Sequence, residues 1–391
     1  MTPRLDNIPS GGQYSEHLFT QYVGSMTTQS LVHQLPVRRL LLDATRPISD
    51  PVAWNRVFER INPLWSMSTI RARVVRRVEE NDDTFSLWLK TNRHWQGHQA
   101  GQHVAVGVEI DGVMRRRVFS LSNYPDRPGK DAGLLRVTIQ RQDGNGVTTW
   151  LHANAEIGLV LELSAADGQF VLPNPPPQRL LMIAGGSGIT PLMAILQQLT
   201  RNRFDGEIVF LQLCRHMDQR LFSNELDSLA ERLPGLSVQI HASAAHGRLA
   251  ASRIPELVPD LAERHTLLCG PASLISDVSA TWEALGLAGQ LQLERFAAPR
   301  PPVQPGGEQT VHAMRSEQMF TQTSGLSLLE AAEAAGLKPK HGCRAGLCRS
   351  CLCKKHSGTA RNLLTGLSSS QPDEWIQLCV SVAETELELA L

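Results

Sequence analysis

The stretch His341-Gly342-Cys343-Arg344-Ala345-Gly346-Leu347-Cys348-Arg349-Ser350-Cys351 carries three cysteines in the spacing C-x4-C-x2-C, and Cys379 follows after a gap long enough for the chain to leave the loop and return. Of the seven cysteines, Cys353 is also close by, whereas Cys214 and Cys269 stand alone. An odd, clustered set in a chain without a secretory signal favours metal ligation over disulfides. This spacing suits a [2Fe–2S] cluster. Four thiolates close around two irons while backbone N–H groups point at the sulfurs, and Gly342 and Gly346 supply the tight backbone. Cys343, Cys348, Cys351 and Cys379 are therefore the candidate metal ligands. A structural zinc site is the alternative, but zinc prefers paired short knuckles, and only one short pair exists here. Counting Cys353 in place of Cys351 gives C-x4-C-x4-C, a different spacing. Cys353, Cys214 and Cys269 are read as non-ligands, with Cys269 still a candidate to line an active site.

At 391 residues the chain is too long for one ordinary core and implies two to three domains. Its 42% hydrophobic and 19% charged residues describe a globular protein rather than a disordered or fibrous one. Basic and acidic residues balance at 38 each, so the global basic surface of a nucleic-acid binder is lacking. No apolar run approaches the length of a membrane span. The polar N-terminus lacks the apolar segment of a secretory signal, and a cytoplasmic protein is expected.

Residues 1–67 read as an N-terminal extension. It is rich in Ser, Thr, Gln and Gly and expected to be poorly ordered as far as residue 35, with Met26 an alternative start. Trp54, Phe58, Ile61 and Trp65 then recur at helical steps on one apolar face. Residues 68–172 change to short β-branched runs, at 69–75, 103–108, 134–139 and 159–163, separated by Gly and Asp turns, which predicts an antiparallel barrel or sandwich. Pro173-Asn174-Pro175-Pro176-Pro177 breaks every regular element. Within 178–297, apolar strands at 180–184, 208–212, 237–241 and 266–269 alternate with helical stretches at 191–201, 223–232 and 273–285, so a parallel α/β sheet is predicted. Residues 298–307 are a proline-rich linker, able to span roughly 30 Å at ~3 Å per residue. Residues 308–391 form a small last domain holding the cysteine loop. No internal repeat is present.

Arg117-Val118-Phe119-Ser120 closes the basic run Arg115-Arg116-Arg117; alone, it reads equally as a strand with a solvated face. Gly146-Val147-Thr148-Thr149 precedes a helix-like stretch and either caps it or offers its N–H groups to a phosphate. Gly185-Gly186-Ser187-Gly188-Ile189-Thr190-Pro191 follows an apolar strand and opens a helix, the context that a phosphate-binding turn requires. Pro191 suits a first helical turn. Cys269-Gly270-Pro271 lies at a strand's carboxyl end, where open α/β sheets bind ligands. Glu294-Arg295-Phe296 closes the domain, and for Phe296 core packing is the alternative role.

In this order the motifs resemble the ferredoxin–NADP reductase superfamily, and the cysteine loop resembles that of plant-type ferredoxin domains. The resemblance implies a multidomain protein: an antiparallel β-barrel flavin domain, an α/β parallel-sheet nicotinamide domain and an α+β β-grasp ferredoxin domain. It implies that Arg117 pairs with the flavin pyrophosphate, that Phe119 covers the isoalloxazine ring and that Ser120 hydrogen-bonds near N5, with Val118 in the same element. Phe119 replaces the family's usual Tyr, keeping the stacking and losing the phenol hydrogen bond, which lowers flavin affinity. Thr148 and Thr149 are the candidates for the Ser of the family's phosphate turn. Gly185 to Pro191 correspond to the nicotinamide loop, Cys269, Gly270 and Pro271 to the element beside the nicotinamide, and Glu294 and Phe296 to the terminal element, Phe296 covering the flavin. The implied catalytic set is Ser120, Cys269, Glu294 and Phe296. The implied cofactors are FAD in preference to FMN, a [2Fe–2S] cluster, and NADPH or NADH. Arg215, His216 and Arg220, with Asp218 among them, stand where a 2′-phosphate would lie and tilt the choice to NADPH.

The domain order resembles reductases of oxygenase and desaturase systems, which implies electron flow from NAD(P)H through FAD and [2Fe–2S] to a terminal acceptor protein. The stretch from Trp54 to Trp65 resembles the extension of bacterial reductases serving membrane-bound fatty acyl desaturases. Such a desaturase is the expected acceptor, with the reductase peripheral to the membrane through its partner. The alternatives are a reductase of a ring-hydroxylating oxygenase or P450 system, a redox-sensing iron–sulfur regulatory module, and a colourless zinc scaffold. Arg344, Arg349, Lys354 and Lys355 are expected either to form a basic rim facing an acidic acceptor or to be an ordinary solvated surface.

Overall fold

A computed structural model describes residues 61–125, 129–142, 146–296 and 307–391. Trp54 and Phe58 of the expected N-terminal helix, and linker residues 298–306, lie outside the described residues. Ile61 and Trp65 are exposed.

Apolar residues at every second position build the first layer. Ala72 and Val74 in β1 (Ile70–Asn81), Phe85, Leu87 and Leu89 in β2 (Thr84–Thr91), and Val104 and Val106 in β3 (His103–Ile110) are all fully buried, as the two-residue period of a strand dictates. With β4 (Val113–Ser120), β5 (Leu134–Gln140) and β6 (Val160–Leu163) these strands form an antiparallel sheet in the order β4-β3-β6-β1-β2-β5. A bridge between Leu121 and Val137 joins its two end strands and closes the barrel, which removes the exposed edges. Helix α1 (Val147–Asn154) packs Leu151 into this core.

The second layer is a five-stranded parallel sheet of β7 (Arg179–Gly185), β8 (Glu207–Cys214), β9 (Leu236–Ala242), β10 (His265–Gly270) and β11 (Leu291–Arg295), ordered β11-β10-β7-β8-β9. Its central strands are near-continuous apolar runs because helices cover both faces: α2 (Ile189–Arg201) and α3 (Ser223–Arg232) bury one, α4 (Ala272–Ala284) the other. The chain runs outward from β7 through β9 and returns to the other side of β7 at β10. That reversal is a topological switch point, where ligands bind to such sheets. Both layers belong to one compact unit. They are joined by the Arg136–Glu225 ion pair at 2.6 Å, with Arg136 buried beneath Trp88 and Phe222, and by Tyr124 N–H donating to Gln197 Oε1 at 2.9 Å.

The last layer contains β12 (Gln309–Ala313), β13 (Gln318–Gln322), helix α5 (Leu328–Ala334), β14 (Leu352–Ser357), β15 (Ala360–Asn362), β16 (Ser368–Ser369), β17 (Glu374–Gln377), β18 (Ser381–Ala383) and β19 (Leu387–Leu389). A mixed sheet in the order β13-β12-β19-β14-β17 packs its buried face on α5, whose start is fixed by a reciprocal capping box between Ser327 and Glu330.

Candidate functional site

At the switch point, Gly185 ends β7, Gly186 takes φ +53°, and Gly188 opens α2 against the end of β10. A Cβ on Gly188 would stand 2.2 Å from Cys269 O and 2.6 Å from Gly270 N, both backbone atoms that cannot yield. A Cβ on Gly185 would strike Pro271 and Leu274. The glycine turn and Cys269-Gly270-Pro271 are therefore one interlocked surface, with the backbone bare enough for a pyrophosphate to approach.

Across from it, β4 carries Arg117, Val118, Phe119 and Ser120 into a cavity also lined by Thr148, Ser187, Thr190, Phe296, Cys343 and Leu347. Elements from all three layers thus meet in one cavity. Burial lowers the Arg117 guanidinium's pKa, with nearby Cys343 opposing the shift, and Arg117 has no ion-pair partner among the described residues, so it is free to meet an anion. Of the two threonine candidates, Thr148 lines the cavity, while Thr149 Oγ1 donates to Gln142 O at 2.9 Å. Phe296 packs on the nicotinamide-domain core and also lines this cavity, as Phe119 does.

Ser120 Oγ donates to Glu294 Oε2 at 3.0 Å, and His103 Nδ1 lies 3.2 Å from Glu294 Oε1; all three residues are buried. His103 was missed by sequence reasoning. It pairs directly opposite Ser120 in the β3–β4 register, which puts both side chains on one face, and only that register would have exposed it. Cys269 is fully buried, outside the cavity lining, and burial, then Glu294, pushes its thiol pKa well above the usual range.

In the last layer the four marked cysteines form two pairs. The N–H groups of Ala345, Leu347 and Cys348 point at Cys343 Sγ at 3.4, 3.3 and 3.2 Å, and Cys343 N–H points at Cys348 Sγ at 3.2 Å. Cys351 Sγ and Cys379 Sγ lie 3.3 Å apart. Within each pair the shared hydrogen bond splits the thiols, lowering Cys348 and Cys351 and raising Cys343 and Cys379. Among the described residues no three Cys, His, Asp or Glu side chains converge on a single point. Two adjacent pairs fit a binuclear cluster, whereas a zinc ion needs all four sulfurs around one centre. Gly342 allows the closeness: a Cβ there would be 2.8 Å from Cys348 Sγ and 3.3 Å from Arg116 O in β4. Cys353 instead points into the domain core, where burial raises its thiol to about 11.

The expected basic rim is corrected. Lys355 is fully buried, bonded to Gly358 O at 2.8 Å and Gln371 O at 2.7 Å and paired with Glu374. Arg344 is held by both oxygens of Glu333, and Lys354 by Asp373 at 2.8 Å. Strand alternation turns Lys355 inward with Cys353, so the apparent run of cations is divided between core and surface.

Residues 182–280 match the oxidoreductase NAD-binding domain family, and residues 311–384 match the 2Fe-2S iron-sulfur cluster binding domain family. An NADPH oxidoreductase of Mycobacterium tuberculosis is 34% identical over 344 residues, covering 88% of this chain and 90% of the relative. The chain belongs to the ferredoxin–NADP reductase superfamily, in the branch with a C-terminal [2Fe–2S] domain. It is an NAD(P)H-dependent flavin and iron–sulfur oxidoreductase. Within this superfamily, the heme-dependent oxidative N-demethylase beta subunit of Ectopseudomonas mendocina is 30% identical over 293 residues, 73% of this chain and 86% of the relative. The fold is also that of phthalate dioxygenase reductase, with TM-score 0.56 at 23% identity over 82% of this chain and 97% of that one. Among the described residues no helix is long and apolar enough to cross a membrane.

Proposed function

We propose that this reductase delivers electrons from NADPH to a separate terminal acceptor, a membrane fatty acyl desaturase. The observation that carries the electron path is the single cavity lined by the flavin strand, the glycine turn and Cys343. When bound, a flavin would supply hydride-accepting chemistry and a [2Fe–2S] cluster one-electron chemistry. The chain's own residues do the positioning. Arg117 and the start of α1 hold the flavin phosphate, Phe119 and Phe296 flank its ring, and Ser120, oriented by Glu294, presents its hydroxyl to N5. The Gly185 to Pro191 turn and Cys269-Gly270-Pro271 seat the nicotinamide nucleotide, and Cys343, Cys348, Cys351 and Cys379 hold the cluster. The three layers act as flavin, nicotinamide and ferredoxin domains with boundaries near 68–172, 178–297 and 308–391.

NADPH is favoured by the exposed Arg215 and His216 just beyond β8, and by the nucleotide in the mycobacterial relative's name. The desaturase rests on the stretch from Trp54 to Trp65. The name of a relative 24% identical over 74% of this chain, a glycine betaine monooxygenase reductase subunit of Chromohalobacter salexigens, favours a second reading, an oxygenase acceptor. We place the protein in the cytoplasm, meeting any membrane through its partner. Reconstitution with NADPH or NADH and vesicles containing a fatty acyl desaturase, beside a ring-hydroxylating oxygenase and a P450, tests all of this. Desaturation supported best by NADPH is expected, and turnover confined to an oxygenase would replace the desaturase by the second reading.

A further inference from the structure

The two cysteine pairs face different surroundings. Cys343 and Leu347 line the flavin cavity, and Gly342 lies against Arg116 of β4, so the Cys343–Cys348 side is covered by the barrel. On the side of Cys351 and Cys379, which are buried where Cys343 and Cys348 are half-buried, the covering is apolar. Cys379 adjoins Val380, whose carbonyl accepts from Leu363 N–H at 2.8 Å. A Cβ on Gly346 would touch Leu364 Cδ1 at 2.6 Å and Val380 Cγ1 at 3.0 Å. Gly346 O accepts from Gln377 Nε2 at 2.7 Å, which ties the loop to β17. On the outer face of the β14–β17 pair, Leu352 is opposite Gln377 and Lys354 opposite Trp375. Exposure is 39% for Leu364, 72% for Leu367 in the same turn, 43% for Leu352 and 65% for Trp375. Large apolar side chains this exposed around a redox centre mark a contact surface.

We infer that the Leu352–Trp375–Leu364 face is the docking surface through which electrons leave the cluster, and that its occupant is an acceptor protein with an apolar face and a carboxylate opposite Arg349. The charge pattern selects this partner. Arg344 and Lys354 are neutralised by Glu333 and Asp373, and Arg361 lies beside Glu384. Arg349 is exposed and has no partner among the described residues. An anionic lipid surface is attracted by several unpaired cations, whereas of Arg344, Arg349, Lys354 and Arg361 only Arg349 is unpaired among the described residues. A nearly neutral apolar rim matches a protein face that is likewise mostly uncharged. The inference rests on the proposed path from flavin through cluster to acceptor, and the test separates the two.

The probe is ferricytochrome c, a basic haem protein, two molecules of which are reduced per NADPH oxidised. In the full holoprotein, the double variant Leu364→Glu/Leu367→Glu should raise kcat/KM for cytochrome c several-fold, and Leu364→Lys/Leu367→Lys should lower it about tenfold, as local charge steers encounter. Met319, 70% exposed on β13 at the opposite sheet edge, is the control: Met319→Glu and Met319→Lys should each change the rate by less than about twofold. Ferricyanide reduction and the visible absorbance of the cluster should be unchanged in all of them. Should the leucine variants lose the cluster, Trp375→Glu and Trp375→Lys on the adjoining strand carry the same comparison. Equal responses at Leu364 and Met319, or none at either, overturn the docking face. A wild-type chain that reduces ferricyanide but not cytochrome c overturns the underlying path instead.

Discussion

Cys353 lies two positions beyond Cys351, but strand alternation turns it into the core of the last layer, opposite Ile376, and burial keeps it protonated with its thiol near 11. Cys353→Ser is therefore expected to keep the [2Fe–2S] absorbance at a stability cost of about 1–3 kcal/mol for the buried hydroxyl. Serine at Cys343, Cys348, Cys351 or Cys379 should abolish it. A cluster that survives Cys351→Ser and disappears in Cys353→Ser would reverse the ligand assignment. Glu80 offers a second test at this scale. Burial raises its pKa above the ordinary 4.5, against the opposing Ser86 hydrogen bond and the Arg136 charge. Between the ordinary and the raised value the folded state holds more protons than the unfolded chain, so stability falls as pH rises through that window and stays lower above it. Glu80→Gln, which retains an acceptor for Ser86, is expected to raise Tm at neutral pH, with the gain vanishing below about pH 4. A gain that is the same at both pH values would contradict this.

At the level of elements, the packing of turn against strand is the sharpest constraint. Gly188→Ala places a methyl group 2.2 Å from Cys269 O, so α2 must shift outward from β10. Overpacking costs of ~1–3 kcal/mol, applied to the nucleotide surface, correspond to a rise in KM for NADPH of about tenfold or more. Steady-state ferricyanide assays should show that rise with the cluster absorbance intact; an unchanged KM would place the nucleotide elsewhere. Lys355 makes the complementary point in β14. Lys355→Ala leaves Glu374 and two carbonyls without their cation, and a loss of ~3–5 kcal/mol is expected in thermal melts. These two residues also mark what the sequence made legible. The glycine turn and the cysteine loop are contiguous, so spacing alone locates their chemistry. Lys354-Lys355-His356 reads as a solvated run because its inward member is decided by tertiary contacts. For the same reason His103 and Glu294, 191 residues apart, and Arg136 and Glu225, 89 apart, could not be paired in advance.

For the whole molecule, the decisive feature is that the last layer both lines the cavity proposed for the flavin and carries the cysteines proposed for the cluster. The residues proposed for the hydride side, among them Ser120, Glu294 and the Gly185 to Pro191 turn, lie at or before Phe296, whereas Cys343 and Leu347 close the cavity from beyond it. A chain ending after Phe296 should therefore keep NADPH-dependent ferricyanide reduction, because the nucleotide surface and the Ser120–Glu294 contact are intact. It should lose most cytochrome c reduction, because the cysteines go with the removed segment. It should also hold flavin about tenfold more weakly, since the Cys343 and Leu347 wall is gone and water reaches a site whose contacts weaken on exposure. Fluorescence of released flavin measures the last effect, and the ratio of the two acceptor activities measures the first two. A truncated chain that reduces cytochrome c as fast as the full one would remove the cluster from the electron path. A truncated chain that binds flavin as tightly as the full one would show that the barrel and α1 alone define the flavin site.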